Sequence, residues 1–205
     1  DSLWSEIGDY SQYIYSYNNN NDEWTNEATM PSPVDEFTPF GRVNPMTVNI
    51  GNDIYIFGGN TNNGQASSSL KYNINTEEFT SLSNMGYEII NPFGGVYDNE
   101  IYVFGGEKEE KIEKKDLREL NNDFELQATS FVFEVYNPDT NTWEEEGEMP
   151  GDHFYGTEAV LVDGIFYIIG GHNSDDLMSS QTLSYNPETD SWNTLANLPQ
   201  ARAGG

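Results

Sequence analysis

One aromatic spacing recurs at four separate places in this 205-residue chain. Tyr17 and Trp24, Tyr72 and Phe79, Tyr136 and Trp143, and Tyr185 and Trp192 each stand seven positions apart. Six positions beyond the second aromatic comes Met30-Pro31, Met85-Gly86, Met149-Pro150 or Leu198-Pro199. Ahead of the last three pairs run Ile54-Tyr55-Ile56-Phe57-Gly58-Gly59, Ile101-Tyr102-Val103-Phe104-Gly105-Gly106 and Phe166-Tyr167-Ile168-Ile169-Gly170-Gly171. Spacing held this constant means a structural unit stacked on copies of itself, and it constrains the fold more than any composition does.

Each unit reads as β. The β-branched and aromatic runs before the glycines are preceded by turn pairs, Asn52-Asp53, Asp98-Asn99 and Asp163-Gly164, with another strand before the turn. The segments leading to Tyr136 and Tyr185 supply a third strand. They end in Asn-Pro-Asp-Thr-Asn or Asn-Pro-Glu-Thr-Asp, a turn in which Pro sets φ and Asn or Asp accepts tight geometry. The tryptophan opens a fourth. Four antiparallel strands in a unit of roughly 45–50 residues describe one blade of a β-propeller.

The paired glycines with Tyr and Trp at fixed spacing resemble the kelch repeat, over nearly the whole chain. That resemblance implies an all-β, kelch-type propeller of four-stranded antiparallel blades. Residues 1–31 then form a partial blade, 32–86, 87–150 and 151–199 three complete blades, and 200–205 the start of another. Kelch rings resemble six- or seven-bladed circles, so the chain reads as a section of a larger propeller. Several copies completing one ring is the rival reading. The kelch arginine before the first strand is matched at Arg42 and Arg202, with Asn91 and His153 near the other two places. In such propellers that arginine often touches ligand. Galactose oxidase, a kelch-type enzyme, uses a Tyr–Cys crosslink at its copper; without cysteine, that chemistry is excluded for this segment.

Alternating hairpins put the second-to-third-strand loops on the same face as the loops between blades. Residues 60–65 and 172–176 thus share one channel mouth with residues 31–42, 87–91 and 152–155. The candidate binding residues there are Phe37, Phe40, Arg42, Tyr87, Asp152, His153, Tyr155, His172 and Asp175. Loop aromatics Phe37, Phe40, Tyr87, Phe154 and Tyr155 beside Asn and Asp side chains suit a sugar, or serve as hydrophobic plugs. His153 and His172 with Asp152, Asp175 or Asp176 are the residue types that hold a divalent cation. Their spacing lends no support, so no metal or cofactor is expected. The structural residues of the repeat are Gly58, Gly59, Gly105, Gly106, Gly170, Gly171, Tyr72, Tyr136, Trp143, Tyr185 and Trp192. No catalytic constellation stands out, and an enzyme whose site lies in further blades ranks last.

One insertion breaks the pattern. Gly106 to Tyr136 takes 30 positions where the other units take 13 or 14. Residues 107–126 hold five of the eight basic residues, and Ile112, Leu117, Leu120 and Phe124 fall at helical spacing. A short amphipathic helix or a charged flap is expected, as a solvated decoration or a docking element.

Against 8 Lys+Arg stand 35 Asp+Glu, a net charge of −27. Outside the insertion the balance is 3 bases to 27 acids. Such a surface disfavours a nucleic-acid backbone or an anionic membrane surface, and no apolar run reaches the roughly 18 residues of a membrane span. Zero cysteines exclude disulfides and thiolate sites. The sequence therefore points to a non-catalytic protein-interaction or scaffold module whose partner is another protein, a basic one being the complement. A carbohydrate-binding propeller and a structural surface or appendage protein are the alternatives. Partnership with copies of itself, or with the remainder of a larger propeller, stays open. The Cys-free, acidic, Asn- and Tyr-rich composition tilts location towards the extracellular side or a cell surface, with the cytoplasm as alternative. No Asn-x-Ser/Thr acceptor occurs.

Overall fold

The seven-residue aromatic spacing is a cross-strand pair. The computed structural model describes residues 13–31, 41–61, 64–105, 107–108, 132–151, 156–173 and 177–204. In it Tyr17 faces Trp24, Tyr72 faces Phe79, Tyr136 faces Trp143 and Tyr185 faces Trp192 directly across adjacent antiparallel strands. Their ring centroids lie 5.1, 4.9, 5.0 and 4.8 Å apart. Facing aromatics of this kind stabilise a strand pair beyond the area they bury.

The turn between each pair is built locally. The asparagine after each tyrosine (Asn18, Asn73, Asn137, Asn186) accepts the backbone N–H two residues on through its Oδ1. Asp22, Glu77, Asn141 and Asp190, five residues after the tyrosines, all have φ between 45° and 58°. The Tyr17, Tyr136 and Tyr185 hydroxyls donate to the side-chain oxygens of Asp22, Asn141 and Asp190, at 2.6, 2.8 and 3.1 Å. Asn and Asp tolerate the left-handed conformation because their short side chains bond locally.

Eighteen strands follow in chain order among the described residues. The first sheet pairs β1 (Tyr13–Asn18) with β2 (Glu23–Thr29). The second orders β3 (Met46–Ile50), β4 (Asp53–Phe57), β7 (Ser69–Asn73) and β8 (Glu78–Ser81), with the small ribbon β5 (Asn60–Thr61) and β6 (Gly64–Gln65) above it. The third orders β10 (Phe93–Tyr97), β11 (Glu100–Phe104), β13 (Val132–Asn137) and β14 (Thr142–Glu148). A second ribbon joins β9 (Ile89–Ile90) to β12 (Glu107–Lys108). The fourth sheet orders β15 (Ala159–Val162), β16 (Ile165–Ile169), β17 (Thr182–Asn186) and β18 (Ser191–Thr194). All pairings are antiparallel, and these sheets are the blades of a propeller. No helix occurs among the described residues. Of the insertion only β12 falls within them, as strand; the expected amphipathic helix lies outside.

The first-to-second-strand turns are two-residue hairpins. Asp98-Asn99 and Asp163-Gly164 take positive φ at both positions, the type I′ geometry that matches strand twist. In the second sheet the turn sits at Gly51-Asn52, one residue earlier than the sequence implies, because Gly51 adopts φ 58° and Asp53 already pairs with Ile50.

The core lies between sheets rather than within one. Met46, Tyr55 and Phe57 of the second sheet pack with Ile101, Val103 and Tyr136 of the third. Phe104, Phe133 and Val135 of the third pack with Phe166, Ile168 and Leu183 of the fourth. Met30 of the first meets Ile56 and Leu70 of the second. Trp143 and Trp192 each cap the preceding blade: Trp143 sits edge-on to Phe57 at 5.0 Å, and Trp192 to Phe104 at 5.6 Å. The inner strand β10 runs beside β3 and β15. It is thinned by Gly94 and Gly95, where a Cβ would come 2.9 Å from Met46 Cε on one side or from Phe166 Cε1 on the other.

Candidate functional site

The inner strands β3, β10 and β15 converge at one mouth of the channel, and the chain enters each by the same device. Asn44 (φ 52°), Asn91 (φ 53°) and Gly156 (φ 65°) turn the backbone left-handed two or three residues ahead of these strands. Gly204 (φ 71°) repeats the device after Arg202, and its N–H donates to Gly156 O at 2.7 Å.

The paired glycines tie this entry to the blade behind it. Gly59 N–H donates to Ile89 O and Gly171 N–H to Arg202 O, each at 2.8 Å. A Cβ on Gly58 would stand 2.7 Å from Ile89 O, and its φ of 60° is itself unsuited to an L side chain. Val43 and Asn60 exchange backbone hydrogen bonds at 2.9 Å in both directions. Interblade entries and second-to-third-strand loops are therefore bonded together on one face, where β12 pairs with β9.

Between the three entries lies a cleft of about 260 Å³. Asn44, Thr47, Asn91, Thr157 and Glu158 line it, with Met46 and Phe93 nearly buried at its floor. Among the described residues, amides, hydroxyls and one carboxylate face this space, and no basic side chain does. Glu158 is exposed, and among the described residues its carboxylate has neither an ion pair nor a hydrogen bond. The arrangement can accept hydrogen bonds and hold a cationic group; none of its described residues can neutralise an anion.

The sequence-predicted residues separate here. Arg42 is 5 % exposed and turned into its own blade. Its Nη1 donates to Gly58 O and Ser68 O at 2.7 and 2.9 Å, and its Nη2 to Ser68 Oγ at 2.6 Å. Burial lowers its pKa to about 10, so it remains cationic at neutral pH while clamping the glycine turn. Tyr87 donates to the Glu145 carboxylate on outer strand β14, away from the cleft. That bond, and then burial, push its pKa up to about 12. His172 is half-buried at the mouth, bridged through its backbone to Met178, and its ring lies against Gly156. Phe37, Phe40, Asp152, His153, Phe154, Tyr155, Asp175 and Asp176 lie outside the described residues, as does Gly106. Among the described residues no three His, Asp or Glu side chains converge as a metal centre would require.

The cleft residues Asn44, Thr47, Thr157 and Glu158 were not singled out by sequence reasoning. A signal existed: Asn44-Pro45 and Asn91-Pro92 stand at the same place before successive inner strands.

At the interface of the third and fourth sheets a smaller cleft of about 110 Å³ gathers Glu100, Glu144, Glu146 and Asp190 around Tyr102 and Tyr185. Burial, then the neighbouring carboxylates, raise the pKa of Glu146. Burial likewise pushes Tyr102 and Tyr136 up to about 12, and Tyr185 higher still with help from its bond to Asp190.

Comparison with known proteins agrees with this geometry. The chain is 28 % identical over 153 residues to the spermatocyte protein spe-26 of Caenorhabditis elegans, covering 74 % of the chain and 25 % of that protein. It is 23 % identical over 217 positions to human Kelch-like protein 23, covering 92 % of the chain and 37 % of the relative. The chain thus spans little more than a third of these relatives at most. Among solved structures, that of YjhT superposes with a TM-score of 0.72 at 22 % identity, over 94 % of the chain and 61 % of that protein. The KLHDC2/KLHL20/DRC7 Kelch-repeats domain matches residues 5–204, so with the four repeated Tyr-to-aromatic pairs and the bonded glycine turns in place, the chain belongs to the kelch-repeat family.

Proposed function

We propose that this chain is a protein-interaction module that holds a cationic side chain of its partner in the channel-mouth cleft. The observation that carries the reading is the cleft's chemistry among the described residues: an unpaired, exposed Glu158 amid amide and hydroxyl groups, with no base lining the space. The kelch-repeat family, whose domains serve protein binding, supports the general role. A net charge of −27 supports the sign of the partner, because it attracts a basic segment over a distance and repels an acidic one. The proposed role is binding, not catalysis.

A short fluorescein-labelled Gly/Ser peptide carrying spaced arginines, with a glutamine version as control, tests this by fluorescence polarisation. Glu158→Lys weakens arginine-peptide binding about tenfold or more. Glu78→Lys makes the same charge change on exposed strand β8 and leaves affinity within about twofold. Equal losses in both variants would show diffuse attraction to an acidic surface and sink the site.

A further inference from the structure

We propose that the cleft between the third and fourth sheets binds a primary alkylammonium group, held by Glu100, Glu144, Glu146, Asp190 and the Tyr102 hydroxyl. Both walls belong to an interior junction of the blade array. The site is separate from the channel mouth. Glu100 opens β11 and Phe104, near the glycine pair, closes it, which puts the two clefts at opposite ends of the strands.

The chain carries a template one junction earlier. There Lys71 faces Tyr55 across β4 and β7, and its Nζ lies 3.1 Å from Asp53 Oδ2. Tyr55 in turn reaches Tyr136 of the next sheet, with ring centroids 6.0 Å apart. In the third sheet Val135 takes the place of Lys71, facing Tyr102 across β11 and β13, and Tyr102 reaches Tyr185 at 6.1 Å. Glu100 takes the place of Asp53: it accepts from Asn137 Nδ2 at 3.1 Å, as Asp53 accepts from Asn73 Nδ2 at 2.6 Å.

Between the two junctions a base is lost and acids are gained. Glu144 faces Val135 where Thr80 faces Lys71. Asp190 accepts from the Tyr185 hydroxyl where Asn141 accepts from that of Tyr136. Among the described residues no lysine or arginine forms an ion pair with any of the four carboxylates. Below them the Tyr102 side chain, 7 % exposed, lines the cleft, and its hydroxyl has no hydrogen-bond partner among the described residues.

An ammonium brings three N–H donors and no acceptor, so it answers the phenol oxygen and two carboxylates at once. The raised pKa of Glu146 fits a cleft in which carboxylates face one another without a cation. A volume of about 110 Å³ admits the ammonium with a short alkyl stem. Among the described residues no three acidic or histidine side chains converge tightly enough for a metal, which favours an organic cation.

Amide NMR on the 205-residue chain, titrated with n-butylammonium at neutral pH and constant ionic strength, tests the site. Saturable shifts are expected at residues 100–102, 135–137, 144–146 and 185–190. Tetramethylammonium, which has the charge without N–H donors, and neutral n-butanol should bind about tenfold more weakly or worse. Val135→Lys, which restores the Lys71 arrangement, should abolish the saturable shifts. If that variant does not fold, Glu146→Gln on the exposed rim decides. It should weaken binding about fivefold or more, while Glu78→Gln on β8 leaves it unchanged. Glu158→Lys also leaves it unchanged, so this site and the channel-mouth reading stand or fall separately. A Gly/Ser peptide with a single lysine identifies the source of the amine: shifts at the same amides mean a partner's lysine, and shifts with butylammonium alone mean a free amine. A wild type without saturable shifts, or with equal affinity for tetramethylammonium, overturns the proposal. So does a folded Val135→Lys variant that still binds, or a Glu146→Gln variant no weaker than Glu78→Gln.

Discussion

Asn141 shows how much of a blade rests on one short polar side chain. It takes φ 55°, its Oδ1 accepts from the Tyr136 hydroxyl at 2.8 Å and from Ser83 N–H at 2.8 Å, and its carbonyl accepts from Ser83 Oγ at 2.6 Å. One residue thus closes its own hairpin and fastens the preceding blade. Asn141→Ala should cost about 2–4 kcal/mol, combining the lost hydrogen bonds with a left-handed backbone that alanine resists. Asn141→Gly should recover about 1 kcal/mol of that, since only the backbone part is relieved. Urea unfolding of both variants separates the two contributions. An alanine variant no weaker than the glycine one would refute the backbone share. At this scale the sequence was readable, because Tyr, Asn and Asn or Asp at fixed offsets are local chemistry.

Between elements, two departures from the repeat explain each other. Glu134 occupies the place held by Leu70 and Leu183, two residues before the tyrosine, and is almost fully buried. Gly86 stands where the other units have proline. The Gly86 N–H donates to Glu134 Oε1 at 2.9 Å, a bond that proline, having no N–H, could not make. A double-mutant cycle tests the pairing. Glu134→Leu and Gly86→Pro should each destabilise. Together they should cost less than the sum, with a coupling of about 1–3 kcal/mol. Strict additivity in thermal or urea unfolding would mean that the substitutions are unrelated. Nothing in the sequence linked positions 86 and 134, because their contact exists only once one blade has docked on the next.

For the whole molecule, the core is a set of interfaces, and its aromatic hydroxyls make it sensitive to alkali. Tyr102 and Tyr136, placed at successive junctions, are held near 12 by burial, and Tyr185 is pushed up as well. In the unfolded chain tyrosine titrates near 10. The folded state therefore favours the neutral phenols, and their contribution is intact below about pH 10. It is lost as pH rises from about 10 towards 12, while ionisation adds negative charge to a chain already at −27. Unfolding followed by near-UV circular dichroism should show the urea midpoint falling over that window. Tyr102→Phe and Tyr136→Phe should flatten the fall. A midpoint that is flat to pH 11 in the wild type would contradict this linkage.

The divide between what the chain declares and what its packing decides follows from distance along the backbone. Cross-strand pairs seven residues apart, asparagine-closed turns and glycine pairs are short-range relations, so the four-stranded blade and the kelch family were legible from the residues alone. Arg42 was legible too as a repeat position, yet only the folded blade turns it inward onto Gly58 and Ser68. The channel-mouth cleft joins Asn44, Asn91 and Glu158 from three successive blades. Residues so far apart meet only after whole sheets have stacked. The sequence thus determined the blade, and the tertiary structure decided what lies between blades: the buried tyrosines, the Gly86–Glu134 bond and the cleft. Each depends on apolar area that a single blade cannot bury by itself.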